Sequence, residues 1–256
     1  MNKNLLISVI TDKSMHRFWI NQKKHNYDVF LIYCGNKKNI RLNKVEFFDT
    51  IKGLFKLETI YYALKKNKHI LDKYKYFFLP DDDIFITSEQ INKLFNIAHQ
   101  YNFPLCQPSL IGGFYSYPIT IQNKYCKYRI VNFIEMLCPV MNRESIKKLL
   151  PTFLLNRSGW GVDLVWSKYI KKNKAIIDEV GVHHKTIGKL IKFYKKGSYY
   201  DNLHRLGISA DREMIEIRKK FHVNRNKKII YKKVYKSIFF KFLDKIKNND
   251  FSNYLY

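Results

Sequence analysis

Three adjacent carboxylates, Asp81-Asp82-Asp83, follow directly on the apolar run Tyr76-Phe77-Phe78-Leu79-Pro80 and precede Ile84-Phe85-Ile86. A strand buried on both faces cannot keep three like charges, because each desolvated carboxylate costs several kcal/mol unless paired or metal-bound. The acids are therefore expected where the strand emerges, at its carboxyl edge, which is where open α/β sheets bind ligands. Two carboxylates spaced one apart, Asp81 and Asp83, can hold a hard divalent cation through oxygen, and such ions keep places for water and substrate phosphate. A metal–diphosphate site is one reading of this triplet. The other is a polar turn or helix cap after a strand.

Further along the chain, Glu135 is the lone acid in the apolar run 133–141. A buried Glu needs a cation, a metal or a substrate hydroxyl, whereas the exposed face of an edge strand needs nothing. Trp160 stands between Gly159 and Gly161, three residues before Asp163. Glycines around a large aromatic permit a close backbone approach to a ligand; an Asp near a helix start is also explained by the helix dipole alone. His183 and His184 follow the expected strand 175–182 and either complete an oxygen-rich metal site, contact phosphate, or are surface residues.

The elements that must position these groups alternate. Strands are expected over 5–10, 27–33 and 45–48, with helices over 16–24 and 54–66. The aspartate strand follows, then a helix capped by Ser88 and running to about 101, whose buried stripe is Ile91, Leu94, Phe95 and Ala98. A strand end is expected at 105–109, and Gly112-Gly113 is read as opening a flexible loop to about 128. A short helix over 145–150 should stop at Pro151, a helix begins at Asp163, and a last strand covers 175–182. Such alternation argues for βαβ units and a mostly parallel sheet, an α/β fold.

Composition narrows the class. With 46% hydrophobic residues the chain buries a sizeable core, which excludes general disorder. Lys+Arg 47 against Asp+Glu 21 gives a net charge of +26, a surface that attracts polyanions: nucleic acid, anionic lipid or nucleotide diphosphates. The four cysteines, Cys34, Cys106, Cys126 and Cys138, show no metal-ligand spacing and are expected to be reduced, as in a cytoplasmic protein. The apolar run 5–10 is too short for a signal-peptide core. From residue 212 onward there are thirteen Lys or Arg against four Asp or Glu. There Ile230, Val234, Ile238, Phe242 and Ile246 recur every four residues among lysines. This predicts a basic amphipathic helix, lying on an anionic membrane surface or docked on the domain. The expected division is a catalytic domain over 1–210 and a tail over 211–256.

Strand–helix alternation leading to an aliphatic strand and DxD resembles the GT-A class of nucleotide-sugar glycosyltransferases. More specifically, residues 50–190 resemble the domain of unknown function 707, itself glycosyltransferase-like, through the blocks YKYFFLPDDDI, LCQPSL, FIEMLCPVMNRESI, SGWGVDL and IIDEVGVHH. The GWGVD block is also similar to the GWGGED segment of β-1,4-galactosyltransferases, with Val162 replacing Gly-Glu. The resemblance implies a GT-A fold with a mixed central sheet flanked by helices, and sugar transfer from a nucleotide-sugar donor to a glycan or lipid-linked acceptor. On it, Asp81 and Asp83, with His183 or His184, would hold Mn2+ or Mg2+; Asp163, or in competition Glu135, would be the catalytic base. Thr11, Asp12 and Asp82 would serve the donor, while Gln107, Trp160 and Gly161 would line the sugar pocket. The rival reading, a nucleic-acid-binding protein or metal nuclease, rests on charge and on Tyr and Phe among the lysines.

Overall fold

The computed structural model describes residues 3–21, 24–36, 45–185, 199–224 and 228–252, with side chains of the last helix described as far as Ile246. The chain begins with β1 (Asn4–Ile10), α1 (His16–Trp19), β2 (Tyr27–Tyr33) and β3 (Phe47–Thr50). Helices α2 (Lys56–Lys66) and α3 (His69–Lys73) lead to β4 (Tyr76–Phe78). Beyond the aspartates come β5 (Ile84–Phe85), α4 (Ser88–Gln100), β6 (Leu105–Gly113), β7 (Cys126–Val131), β8 (Val140–Asn142), α5 (Arg143–Leu149), α6 (Val162–Tyr169) and β9 (Lys174–His184). The remainder is α7 (Tyr199–Arg205), α8 (Ala210–Phe221), β10 (Ile230–Tyr235) and α9 (Ile238–Ser252).

The strands form one mixed sheet in the order β10-β7-β9-β6-β8-β4-β1-β2-β3, with β5 paired to β9. Strands β4, β1, β2 and β3 run parallel, and β8 joins β4 antiparallel. All seven residues of β2, YDVFLIY, are buried, the pattern of a strand covered on both faces. Alternation sends Leu6, Val29, Leu31 and Phe78 into one core and Leu5, Phe30, Ile32 and Phe77 into the other. Helix α4 covers the first layer with Ile91, Leu94 and Phe95. Leu57, Ile60 and Leu64 of α2, with Trp166 of α6, cover the second. The order in which strands are added reverses at β1: β2 and β3 lie on one side of it, β4 on the other. That is a topological switch point, and the carboxyl ends of both strands face the same crevice.

Several sequence expectations are corrected. Helix α1 ends at Trp19 rather than Lys24, with residues 22 and 23 outside the described ones. Helix α4 is capped by Thr87, not Ser88: the Thr87 side chain accepts from the Gln90 N–H and the Gln90 side chain accepts from the Thr87 N–H, a capping box. Gly112 and Gly113 lie in β6, paired with His183 and His184. Gly113 has φ +89°, and a Cβ there would collide with the His184 carbonyl oxygen. Pro151 does not end the helical path but sits in the first turn of a 3-10 helix over Leu150–Leu154. The run 133–141 is mostly turn, with a strand only from Val140, so Glu135 is on no edge strand. Finally, 230–235 is a strand antiparallel to β7 and not part of an amphipathic helix. A four-residue spacing satisfies the two-residue period of a strand as well as the helical one, and IYKKVY is rich in β-branched and aromatic residues.

One buried ion pair ties the β7–β9 half together. Arg129 donates through Nε to Asp178 Oδ2 at 2.8 Å and through Nη2 to Oδ1 at 2.9 Å, and its remaining donors reach the Ile119 and Ile121 carbonyls. Arg129→Leu strands the Asp178 charge and is expected to cost about 3–5 kcal/mol in urea unfolding. A loss below about 1 kcal/mol would show the pair to be incidental.

Candidate active site

The aspartate loop leaves β4 at the switch point. Ser8 of β1 donates to the Pro80 carbonyl at 2.8 Å, and the Asp81 N–H donates to the Leu137 carbonyl at 2.8 Å, so both neighbours fix the loop backbone. The three side chains then diverge in role. Asp81 is paired through Oδ1 with the Lys56 ammonium, which also donates to the Met136 and Leu137 carbonyls at 2.7 and 3.1 Å. Burial pushes the Asp81 carboxyl up to about 6, against the opposing Lys56 charge, and Asp83 adds to the rise. Asp82 turns to the loop after β1, where Oδ2 accepts from Thr11 Oγ1 at 2.9 Å and Ser14 Oγ at 2.5 Å. Asp83 lies 3.3 Å from His184 Nε2.

The histidine pair is resolved by strand alternation. His184 joins its Nδ1 to the Phe114 carbonyl at 2.9 Å and its Nε2 to Asp83, so both ring nitrogens face acceptors. Burial opposes a charged ring, but the Asp83 hydrogen bond and charge outweigh it and raise His184 to about 9. His183 points elsewhere, exposed and packed edge-on to the Phe85 ring. Of the two, only His184 joins the acids.

A second pair of acids lies deeper. Asp163, in the first turn of α6, accepts from the Met136 N–H through Oδ2 at 3.3 Å, while its Oδ1 is buried without a hydrogen-bond partner among the described residues. Glu135 Oε2 is likewise buried with no hydrogen-bond partner among the described residues. Burial pushes Glu135 up to about 7, helped by the charge of Asp163 and opposed by the Ser116 hydroxyl. Burial also pushes Asp163 up to about 6, against the Met136 N–H and the Lys228 charge. Two neighbouring buried carboxyls, each with an empty oxygen, are suited to share a proton or to accept a hydroxyl from a ligand.

The other expected residues serve this frame. Gln107 is fully buried, and its Oε1 accepts from the Glu135 N–H at 2.7 Å; it positions Glu135 rather than lining open space. Gly161 holds φ +84° at the start of α6, with Met214 and Ile217 of α8 about 3.3 Å from where a Cβ would stand. Its lack of a side chain therefore admits α8, not a sugar. Trp160 is half-buried, edge-on to Tyr200 at 6.3 Å. Asp12 accepts from the Tyr33 hydroxyl and the Asn36 N–H. Beside it a cavity of about 270 Å³ is lined by Asp12, Lys13, Ser14, Met15, Arg17 and Lys185.

Sequence reasoning missed Lys56, Ser14 and Ser116. Lys56 opens α2, a position that carries no motif; Ser14 could have been noticed three residues after Thr11, at the end of β1. For a divalent ion, no group of three or more His, Cys, Asp or Glu is arranged to bind one among the described residues. Asp81 and Asp83 are, however, about 30% exposed, with one oxygen of each free of described protein partners. Two carboxylates are what a magnesium-type ion asks of a protein when phosphates and water supply the rest, so the residues fit the protein's share of such a site.

No family model matches the chain, and no curated protein does. Among solved structures it is similar to S. aureus TarS, at 9% identity and TM-score 0.51, over 86% of this chain and 44% of that one. The chain thus spans under half of that protein. Against residues 1–349 of S. aureus TarS the identity is 11% and the TM-score 0.50, over 86% and 72%. A protein of Desulfovibrio desulfuricans G20 described as a nucleotide-diphospho-sugar transferase is also similar, at 12% identity and TM-score 0.44, over 85% and 99%. The TarS likenesses show the fold: a mixed sheet flanked by helices, of the GT-A kind expected from the sequence.

Proposed function

We propose that the chain is a metal-dependent glycosyltransferase that moves a sugar from a nucleotide-sugar donor to a glycan or lipid-linked acceptor, in bacterial surface polysaccharide synthesis on the cytoplasmic side. The observation that carries this is the pairing of two acid sets at one switch point. Asp81 and Asp83 stand at the rim, and behind them lie Glu135 and Asp163, each with one buried oxygen that has no partner among the described residues. The resemblance to the domain of unknown function 707 belongs to the same reading.

Asp81 and Asp83 would hold Mn2+ or Mg2+, which supplies Lewis-acid neutralisation of a departing diphosphate. The cavity beside Asp12, with Lys13, Arg17 and Lys185, offers positive charge to the donor phosphates. Thr11 and Ser14 hold Asp82 and so fix the loop that walls this cavity. His184 keeps Asp83 in place. Asp163 accepts the proton of the acceptor hydroxyl, an effect worth about 10²–10⁴ in rate. Glu135, the more readily protonated of the two, hydrogen-bonds the acceptor beside it.

The working form of Asp163 is the carboxylate. Its folded pKa of about 6 lies above the ordinary 3.8. Transfer is therefore expected to rise with pH through about 6 and then level. Nucleoside diphosphate release, followed from pH 5 to 8 with Mn2+ present, measures this. A rate that falls over the same interval would exclude a carboxylate base. A nuclease would use the same rim acids but gives no task to the two carboxyls behind them.

A further inference from the structure

Helix α9 is docked with its polarity inverted. Asp244 faces inward, buried, and accepts from Lys233 Nζ at 2.6 Å, Tyr235 Oη at 2.9 Å and Asn123 Nδ2 at 2.8 Å. Phe240, on the same side, packs its ring against Tyr125 at 5.8 Å. The outward side carries Ile238 at 87% exposure, Phe239 and Phe242 at 61% each, and Ile246 at 43%. At 3.6 residues per turn these four fall within an arc of about 100°, with Asp244 opposite its centre. A water-facing helix shows the reverse pattern, so this face is built for something other than water.

Charge identifies the occupant. Lys241 and Lys245 flank the apolar arc on one side, both exposed, and β10 presents exposed Tyr231 and Lys232 across a groove of about 390 Å³ shared with Lys245. Basic side chains around aromatic and aliphatic ones match a surface with anionic headgroups over an acyl interior. We infer that α9, with the rim of β10, docks the protein on an anionic lipid bilayer, with Ile238, Phe239, Phe242 and Ile246 inserted at the headgroup–acyl boundary. Strand β10 makes this anchor rigid: it continues the central sheet through β7, and Lys233 and Tyr235 on it hold Asp244. The inference does not depend on sugar transfer, since it concerns a surface formed by other residues.

The test is co-sedimentation of the full chain with phosphatidylcholine vesicles containing roughly one third phosphatidylglycerol, beside pure phosphatidylcholine, at about 0.1 M salt. Binding is expected to the anionic vesicles only. Phe239→Ser and Phe242→Ser should each weaken it roughly tenfold or more, and Lys241→Gln and Lys245→Gln roughly fivefold each. All four side chains are exposed, so the thermal midpoint should not move, and measuring it separates lost docking from lost folding. Three outcomes overturn the inference: no binding to anionic vesicles, binding that the Phe variants leave unchanged, or a concentration-dependent dimer that those variants dissolve. The last would make a second copy of the chain the cover.

Discussion

Asp163→Asn is expected to lower kcat by about 10²–10⁴ while making the protein more stable at neutral pH. The two effects have one cause. In the folded chain Asp163 ionises only above about 6, whereas its ordinary value is 3.8. Between these values the unfolded chain releases a proton that the folded chain keeps, so stability falls as pH rises through this window and stays reduced above it. An amide has no charge to bury and escapes the penalty, which is on the order of 2–3 kcal/mol. If Asp163 served only the helix dipole, the same change would lose a few tenths of a kcal/mol instead of gaining several-fold more. A denaturant titration at pH 7.5 beside an activity assay therefore separates the roles by sign. Glu135→Gln should stabilise in the same way, with a smaller loss of activity.

Asp81→Asn should remove donor turnover by roughly 10³-fold or more, because it takes away one of the two rim carboxylates that would hold the ion neutralising the departing diphosphate. Asp82→Asn, next to it, should behave differently. That carboxylate is committed to the Thr11 and Ser14 hydroxyls, and the amide can keep one of those bonds, so the expected effect is a modest rise in KM with kcat little changed. Comparable kinetic losses at both positions would mean that the three acids act as an undivided charge cluster. Lys56 explains why Asp81 can be partly buried before any donor arrives: its ammonium, fixed by two backbone carbonyls, balances the carboxylate.

The parts of this site that were legible in the sequence are those set by local pattern. YDVFLIY is apolar but for Asp28, whose carboxylate accepts from the Tyr74 hydroxyl, and it forms β2 with the expected bounds. An acidic triplet could only follow a buried strand by leaving it, and it does so at the switch point. What stayed hidden is long-range. Lys56 meets Asp81 across 25 positions of sequence, and no spacing rule reports that. Gln107 looked like a pocket residue because a strand end was expected at 105–109, whereas β6 runs on to Gly113 and the path of the 133–139 segment sets the Gln107 amide oxygen against the Glu135 N–H. In the tail, 230–235 forms a strand because a four-residue repeat fits helix and strand alike and β7 offers an edge to pair with, whereas the expected helix is present from Ile238.

The central claim is that the crevice between β1 and β4 takes a nucleotide sugar. Thermal unfolding of the full chain against a panel of nucleotide sugars, each with and without Mn2+, tests it most directly. The account predicts that at least one donor raises Tm only with Mn2+, the shift growing with donor concentration and corresponding to about 2.7 kcal/mol at a hundredfold excess over Kd, and that Asp81→Asn abolishes it. If no nucleotide sugar moves Tm while random single-stranded DNA does so in a salt-dependent way, the chain is a nucleic-acid binder and the account is wrong.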